Sequence, residues 1–64
     1  MINVEYINDE MIMEIIDEDL TPTQEIDIKL MFETYKQMEF SRCSIEFLLN
    51  EELKKRNKIC PEQN

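Results

Sequence analysis

A chain of 64 residues forms at most one small domain, because a chain this short buries only about 60% of its unfolded surface. Its net charge is −8, and it contains neither histidine nor glycine. These absences remove the usual general base near neutral pH, the commonest metal ligand and any glycine-rich phosphate loop. We therefore predict a single domain over residues 1–64 that is not an enzyme and has no cofactor, metal or catalytic residue.

The acidic residues are concentrated in the first half of the chain. Residues 1–27 hold nine acids and no base, whereas residues 28–64 hold six acids and seven bases. Such a balance repels phosphate backbones, so direct nucleic-acid binding is not expected. The sequence also lacks a signal-peptide pattern and an apolar run long enough for a membrane. We expect a cytoplasmic protein that does not contact membranes.

The first 20 residues fit two structures. Six apolar residues alternate with polar ones in two runs: Ile2, Val4, Tyr6, Met11, Met13 and Ile15. A two-residue turn at Asn8 and Asp9 would pair the runs in a β-hairpin and place all six on one face. The alternative is a helix from about Asp9, because apolar residues between 12 and 20 also have helical spacing. We favour the hairpin, since β-branched residues predominate among the apolar ones.

A helix is predicted over residues 22–38. Thr21 can serve as its N-cap, Pro22 suits the first helical position, and Gln24 completes a capping box. The main apolar stripe of this helix consists of Ile28, Met31, Phe32, Tyr35 and Met38. Ile26 and Leu30 form a shorter stripe on the opposite side. The helix therefore needs cover on two faces, and we expect the N-terminal hairpin to pack on the shorter stripe.

A second helix is predicted over residues 41–57, followed by a tail at 58–64. Ser41 is a suitable N-cap, and a new apolar stripe consists of Ile45, Leu48, Leu49 and Leu53. So short a connection forces the two helices to run antiparallel. Cys43 is expected to be a small packing residue and Cys60 to lie in the tail. The predicted fold is α+β, a β-hairpin packed on an antiparallel helical hairpin; the alternative is an all-α three-helix bundle.

Apolar surface is the feature that points to function. Phe47 lies off the main stripe of the second helix, and five methionines add adaptable apolar surface. The acidic run at 17–19 lacks the glycine and ligand spacing of a calcium loop. It is expected to be a solvated connector or, alternatively, an acidic surface for a basic partner. The predicted partner-binding residues are Asp17, Glu18, Asp19, Ile26, Leu30 and Phe47.

The apolar spacing of the two predicted helices is similar to a known family. The pattern consists of Ile28, Met31, Phe32, Tyr35, Phe40, Ser41, Ile45, Leu48 and Leu49. It resembles the helical hairpin of SinI-type anti-repressors, which is also the dimerisation segment of their partner repressors. Ile28 stands where that family has an aromatic residue, and Tyr35 where it has a small one. The resemblance implies a small regulator that acts by occupying a partner's surface.

Two further helical-hairpin families are similar over shorter stretches. Residues 42–51 resemble the Sda-type inhibitors of sporulation kinases around Arg42, Ile45-Glu46 and Asn50-Glu51. Residues 50–54 are similar to the Ser-Gln-Glu-Leu-Asp motif of small sporulation phosphatases. Lys54 replaces the final acid of that motif, so the phosphatase activity is ranked last.

Taken together, these features predict a small acidic protein-binding regulator that inhibits or sequesters a partner protein, as an anti-repressor or phage-type inhibitor does. The partner is expected to be basic or helical, and a homodimer is an alternative. One rival function is a nucleic-acid mimic that blocks a DNA- or RNA-binding protein. Another is a structural homo-oligomer or an accessory subunit of a larger assembly.

Overall fold

The computed structural model describes residues 1–57. Two strands, β1 (Ile2–Ile7) and β2 (Glu10–Ile15), are followed by two helices, α1 (Pro22–Gln37) and α2 (Arg42–Asn57). The predicted α+β fold with an N-terminal hairpin is confirmed, and the three-helix bundle is wrong. The predicted tail and its Cys60 lie outside the described residues. Neither helix within residues 1–57 has the length and apolar character needed to cross a bilayer.

The hairpin has the register predicted from the alternation of apolar residues. Ile2 pairs with Ile15, and Val4 pairs with Met13. The turn residues Asn8 and Asp9 have φ values of 53° and 64°. Positive φ at both central positions is the pattern of a type I′ turn, whose twist matches that of the flanking strands. The alternative helix from about Asp9 is therefore wrong.

Helix α1 begins and ends with complete capping motifs. The Thr21 hydroxyl accepts a hydrogen bond from the Gln24 amide at 3.2 Å, and the Gln24 side chain accepts one from the Thr21 amide at 2.9 Å. At the other end, the amide of Phe40 donates to the carbonyl of Tyr35 at 3.1 Å. The amide of Glu39 donates to Lys36, so the ending is a Schellman motif. This motif reverses the chain toward α2.

The two helices run antiparallel. Arg56 near the end of α2 lies 3.8 Å from the Asp27 carboxylate near the start of α1. At the opposite end, the rings of Tyr35 and Phe40 stack with their centroids 5.4 Å apart. The amide of Ser44 donates to the Ser41 hydroxyl at 3.2 Å, as expected of an N-cap. The connection between the helices is thus held on both sides.

A small core joins the hairpin to the two helices. Each element except β2 contributes buried side chains, and the buried set is Ile2, Val4, Ile28, Phe32, Ile45, Leu49 and Leu53. Met11, Met13 and Ile15 of β2 are half-buried against that core. The main apolar stripe of α1 is buried or half-buried against the core, apart from Met38, the C-cap residue, which is 56% exposed.

Two expectations about packing are wrong. The hairpin does not cover the shorter stripe of α1, because Ile26 and Leu30 are 58% and 60% exposed. It packs instead beside α2, where Ile2 and Val4 are fully buried. Cys43 is exposed rather than a packing residue. Polar side chains of α2 hydrogen-bond β1 and hold the hairpin at this position.

Candidate partner-binding surfaces

Three polar side chains of α2 close the outer edge of β1. Asn50 accepts a hydrogen bond from the amide of Ile2 and donates one to its carbonyl, both at 2.9 Å. Glu46 accepts from the amide of Val4 at 3.3 Å, and Arg42 donates to the carbonyl of Val4. The three residues are four apart, so they share one helix face. We call Arg42, Glu46 and Asn50 the polar clamp.

The polar clamp is also held together internally. Arg42 donates to the Glu46 carboxylate at 2.7 Å, and Asn50 donates to the Glu46 carbonyl at 2.8 Å. The hydrogen bond to Glu46 is the main cause that raises the pKa of Arg42 above its ordinary value. Arg42 therefore stays charged over the whole accessible pH range. A strand edge with such partners cannot accept another strand, so β1 is closed over its first half.

The outer edge of β2 has no comparable cover. The amides and carbonyls of Met11, Met13 and Ile15 point away from β1, because their partners on β1 direct the same groups toward α2. No hydrogen bond from another part of residues 1–57 reaches them. Unpaired backbone groups in a row are a template for a further strand. The hairpin thus has one closed edge and one open edge.

A groove runs between the open edge of β2 and helix α1. Its volume is about 230 Å³, and its lining consists of Glu10, Met11, Ile12, Met13, Lys29, Phe32, Glu33 and Lys36. Successive strand residues point to opposite faces of a sheet, so a lining by four consecutive residues means that the groove follows the strand edge itself. We call this feature the edge groove.

The helix side of the edge groove is apolar at its floor and charged at its rim. The ammonium of Lys36 lies 4.7 Å from the centre of the Phe32 ring and 3.2 Å from the Glu33 carboxylate. Lys29 is exposed and has no ion pair within residues 1–57. The groove can therefore receive an extended segment with apolar side chains on one face and a carboxylate near Lys29.

A second apolar surface lies on α2, on the side away from β1. A shallow cavity of about 290 Å³ is lined by Phe40, Ser44, Phe47 and Leu48. Phe47 is 63% exposed, the largest exposed fraction among the large apolar side chains of the described part. Stacking on Tyr35 fixes the ring of Phe40 at the cavity wall. We call these four lining residues the Phe47 patch.

The other predicted partner-binding residues do not form one surface. Ile26 and Leu30 lie one turn apart on α1, exposed on the face that points away from the core. Asp17 and Asp19 are exposed in the connector that precedes α1. The Glu18 side chain is only 16% exposed and is ion-paired with the N-terminal amine. The acidic run is therefore interrupted in the middle, and its role in binding stays a prediction.

Sequence reasoning missed two features that the structure places together. The edge groove could not be inferred from the sequence, because it depends on which strand edge the helices cover. The polar clamp had a signal, since Arg42, Glu46 and Asn50 repeat every four residues on a face that carries no apolar stripe. No group of three or more acidic or cysteine side chains in residues 1–57 could hold a metal ion.

Comparisons with protein-family models, curated proteins and solved structures find no match to this chain.

Proposed function

We propose that this protein is a regulator that binds another protein and inhibits or sequesters it. The observation that carries the proposal is the Phe47 patch. The core face of α2 is already filled by Ile45, Leu49 and Leu53, yet Phe47 remains 63% exposed beside an apolar cavity. Exposed apolar patches on small proteins mark interaction sites, and aromatic side chains at their centre contribute most of the binding free energy.

Two features of this chain indicate the chemistry of the partner. The cavity of the Phe47 patch suits one or two apolar side chains from an amphipathic helix, the recognition mode in which a helix lies in an apolar groove. The net charge of −8 favours a basic partner, because complementary charge accelerates encounter. A cytoplasmic anti-repressor or phage-type inhibitor of this kind acts by occupying a surface that its target needs.

Capture from the native cell tests the proposal. A C-terminally tagged chain is expected to recover one stoichiometric partner, and Phe47→Ala is expected to reduce recovery at least tenfold, since an aromatic hot spot contributes about 2 kcal/mol or more. Tyr6→Ala is the matched control, because Tyr6 is an aromatic residue of similar exposure, 59%, on the hairpin.

Two results would contradict the proposal. Recovery of the protein alone would leave no partner to regulate. Equal losses with Phe47→Ala and Tyr6→Ala would mean that the Phe47 patch is not the contact surface. Thermal unfolding of both variants by circular dichroism checks that each remains folded.

A second candidate is mimicry of a nucleic acid. The outer face of the hairpin carries Glu5, Glu10 and Glu14, all exposed, and Asp9 lies in the turn beside them. Carboxylates in such a row can stand in for phosphates in the site of a DNA- or RNA-binding protein. Under this proposal, Glu10→Gln with Glu14→Gln weakens partner capture more than Phe47→Ala does, and a short duplex competes with the protein for its partner.

A further inference from the structure

The rest of the chain hydrogen-bonds one edge of the hairpin and leaves the other edge open. Three polar side chains of α2 occupy the amides and carbonyls of Ile2 and Val4 on β1. The corresponding groups of Met11, Met13 and Ile15 on β2 have no hydrogen-bond partner in residues 1–57, and Met11 and Met13 line the edge groove. An open strand edge beside an apolar groove accepts a further strand.

We propose that the strand that fills the edge groove is β2 of a second copy of this chain. The two β2 strands would lie antiparallel across a two-fold axis, and two hairpins would join into a four-stranded sheet. This interaction is separate from the Phe47 patch and does not depend on the proposed regulatory function. In this proposal, the open edge of β2 is the self-association surface of the protein.

The register that pairs the most residues of β2 without opposing two carboxylates is centred on Met13. When Met13 lies on the two-fold axis, Met11 faces Ile15 of the second copy, and Ile12 faces Glu14 of the second copy. The outward amides of Met11, Met13 and Ile15 then meet each other in hydrogen-bonded pairs. No carboxylate lies directly opposite another carboxylate in this register.

The neighbouring register does not share this property. With Ile12 on the axis, Glu10 of each copy would face Glu14 of the other. Like charges directly opposite each other destabilise an antiparallel pair. The charge pattern of β2 therefore selects the Met13-centred register over the Ile12-centred one.

Burial in the groove also fits a second copy. In the four-stranded sheet, Glu10 and Glu14 of the incoming β2 stay on the outer face of the sheet, away from α1, so no carboxylate enters the apolar floor of the groove. The incoming strand also covers Met11 and Met13, which the single chain leaves half-exposed. With only seven buried apolar residues in the described part, the chain gains core area from a second subunit, as small domains commonly do.

Proline scanning of the full-length chain tests the open edge. A proline at an outward-facing position removes one amide from the β2 edge without removing a bond between β1 and β2. Met11→Pro is expected to raise the dimer dissociation constant by roughly tenfold or more, because the two-fold axis doubles the loss of hydrogen bonds. Sedimentation equilibrium measures the constant.

Tyr6→Pro is the matched control for this substitution. Tyr6 is the direct cross-strand partner of Met11, and its amide points toward the outer edge of β1. The Tyr6→Pro substitution is expected to leave the dimer intact. Circular dichroism of both variants shows whether the hairpin remains folded. A wild-type chain that is monomeric at millimolar concentration, or a dimer that Met11→Pro does not weaken, overturns the proposal.

Cysteine cross-linking tests the register independently of proline. In a chain with Cys43→Ser and Cys60→Ser, Met13→Cys places two thiols opposite each other on the two-fold axis. Hydrogen-bonded antiparallel pairs have Cα atoms about 5.5 Å apart, within the range of a disulfide. Mild oxidation is expected to give a covalent dimer rapidly with Met13→Cys and slowly with Glu5→Cys, an exposed position on β1. Equal rates overturn the register.

The outcomes separate this inference from the regulatory proposal. Phe47→Ala is expected to leave the dimer unchanged while it reduces capture of a foreign partner. If Met11→Pro instead abolishes capture from a chain that is monomeric alone, the edge groove accepts a strand of the partner, and self-pairing is wrong. A synthetic peptide of residues 9–16 competes with the dimer only if β2 itself is the occupant.

Discussion

Four non-glycine residues of the described part have positive φ, and each does so where a chain without glycine must reverse direction. Asn8 and Asp9 form the hairpin turn, Asp17 lies in the connector, and Glu39 follows α1. Asparagine and aspartate tolerate this region better than other residues, but glutamate has no such advantage. Glu39, at φ 64°, is therefore the least favourable of the four.

Replacing Glu39 by glycine is expected to stabilise the protein. A left-handed residue with a Cβ costs about 1–2 kcal/mol, and part of this is offset by the greater unfolded-state entropy of glycine. We expect Glu39→Gly to raise the free energy of unfolding by about 1 kcal/mol in urea titrations. Gln37→Gly, two residues earlier in the last turn of α1, is expected to lower it by up to about 1 kcal/mol. A loss of stability with Glu39→Gly would contradict the Schellman assignment.

At the scale of elements, the polar clamp decides where the hairpin lies. The amide side chain of Asn50 satisfies both backbone groups of Ile2, as a neighbouring strand would. Glu46 and Arg42 do the same for Val4. Helix α2 therefore serves both as the core partner of β1 and as the cover of its edge.

Asn50→Asp tests the clamp with a change of nearly equal shape. The carboxylate still accepts from the amide of Ile2, but it can no longer donate to the carbonyls of Ile2 and Glu46. We expect the free energy of unfolding to fall by about 1–2 kcal/mol, the lower part of the range for a polar group left without a partner, because these hydrogen bonds are only part-buried. Gln37→Glu makes the same chemical change at an exposed position of α1 and is expected to change it by less than about 0.5 kcal/mol. Equal effects would show that added charge, and not the clamp, is responsible.

The local elements were predictable from the sequence because each has a local signal. Alternation of apolar residues specified the hairpin register, and the capping box at Thr21 specified the start of α1. The arrangement of the elements had no such signal. The apolar stripe of Ile26 and Leu30 predicted cover by the hairpin, but hydrogen bonds from Asn50 to Ile2 hold the hairpin beside α2. The open edge of β2 and the edge groove follow from that arrangement, so the candidate site was only partly predictable, at Phe47.

At the scale of the whole molecule, charge acts differently on the two proposed interactions. Each chain carries a net charge of −8, so two copies repel each other at long range. In the proposed dimer, apolar and backbone contacts offset that repulsion. A basic partner is attracted by the same charge. Screening lengths fall from about 10 Å at 0.1 M salt to about 3 Å at 1 M.

Salt is therefore expected to shift the two equilibria in opposite directions. Between 0.1 and 1 M sodium chloride, the dimer dissociation constant of the full-length chain falls because repulsion between the copies is screened. Over the same range, the dissociation constant for a basic partner rises because attraction is screened. Sedimentation equilibrium measures the first constant and titration calorimetry with the captured partner the second. If salt instead weakens the dimer, charge pairs and not the backbone edge of β2 hold the copies together. The edge-pairing geometry would then be wrong even though the protein is dimeric.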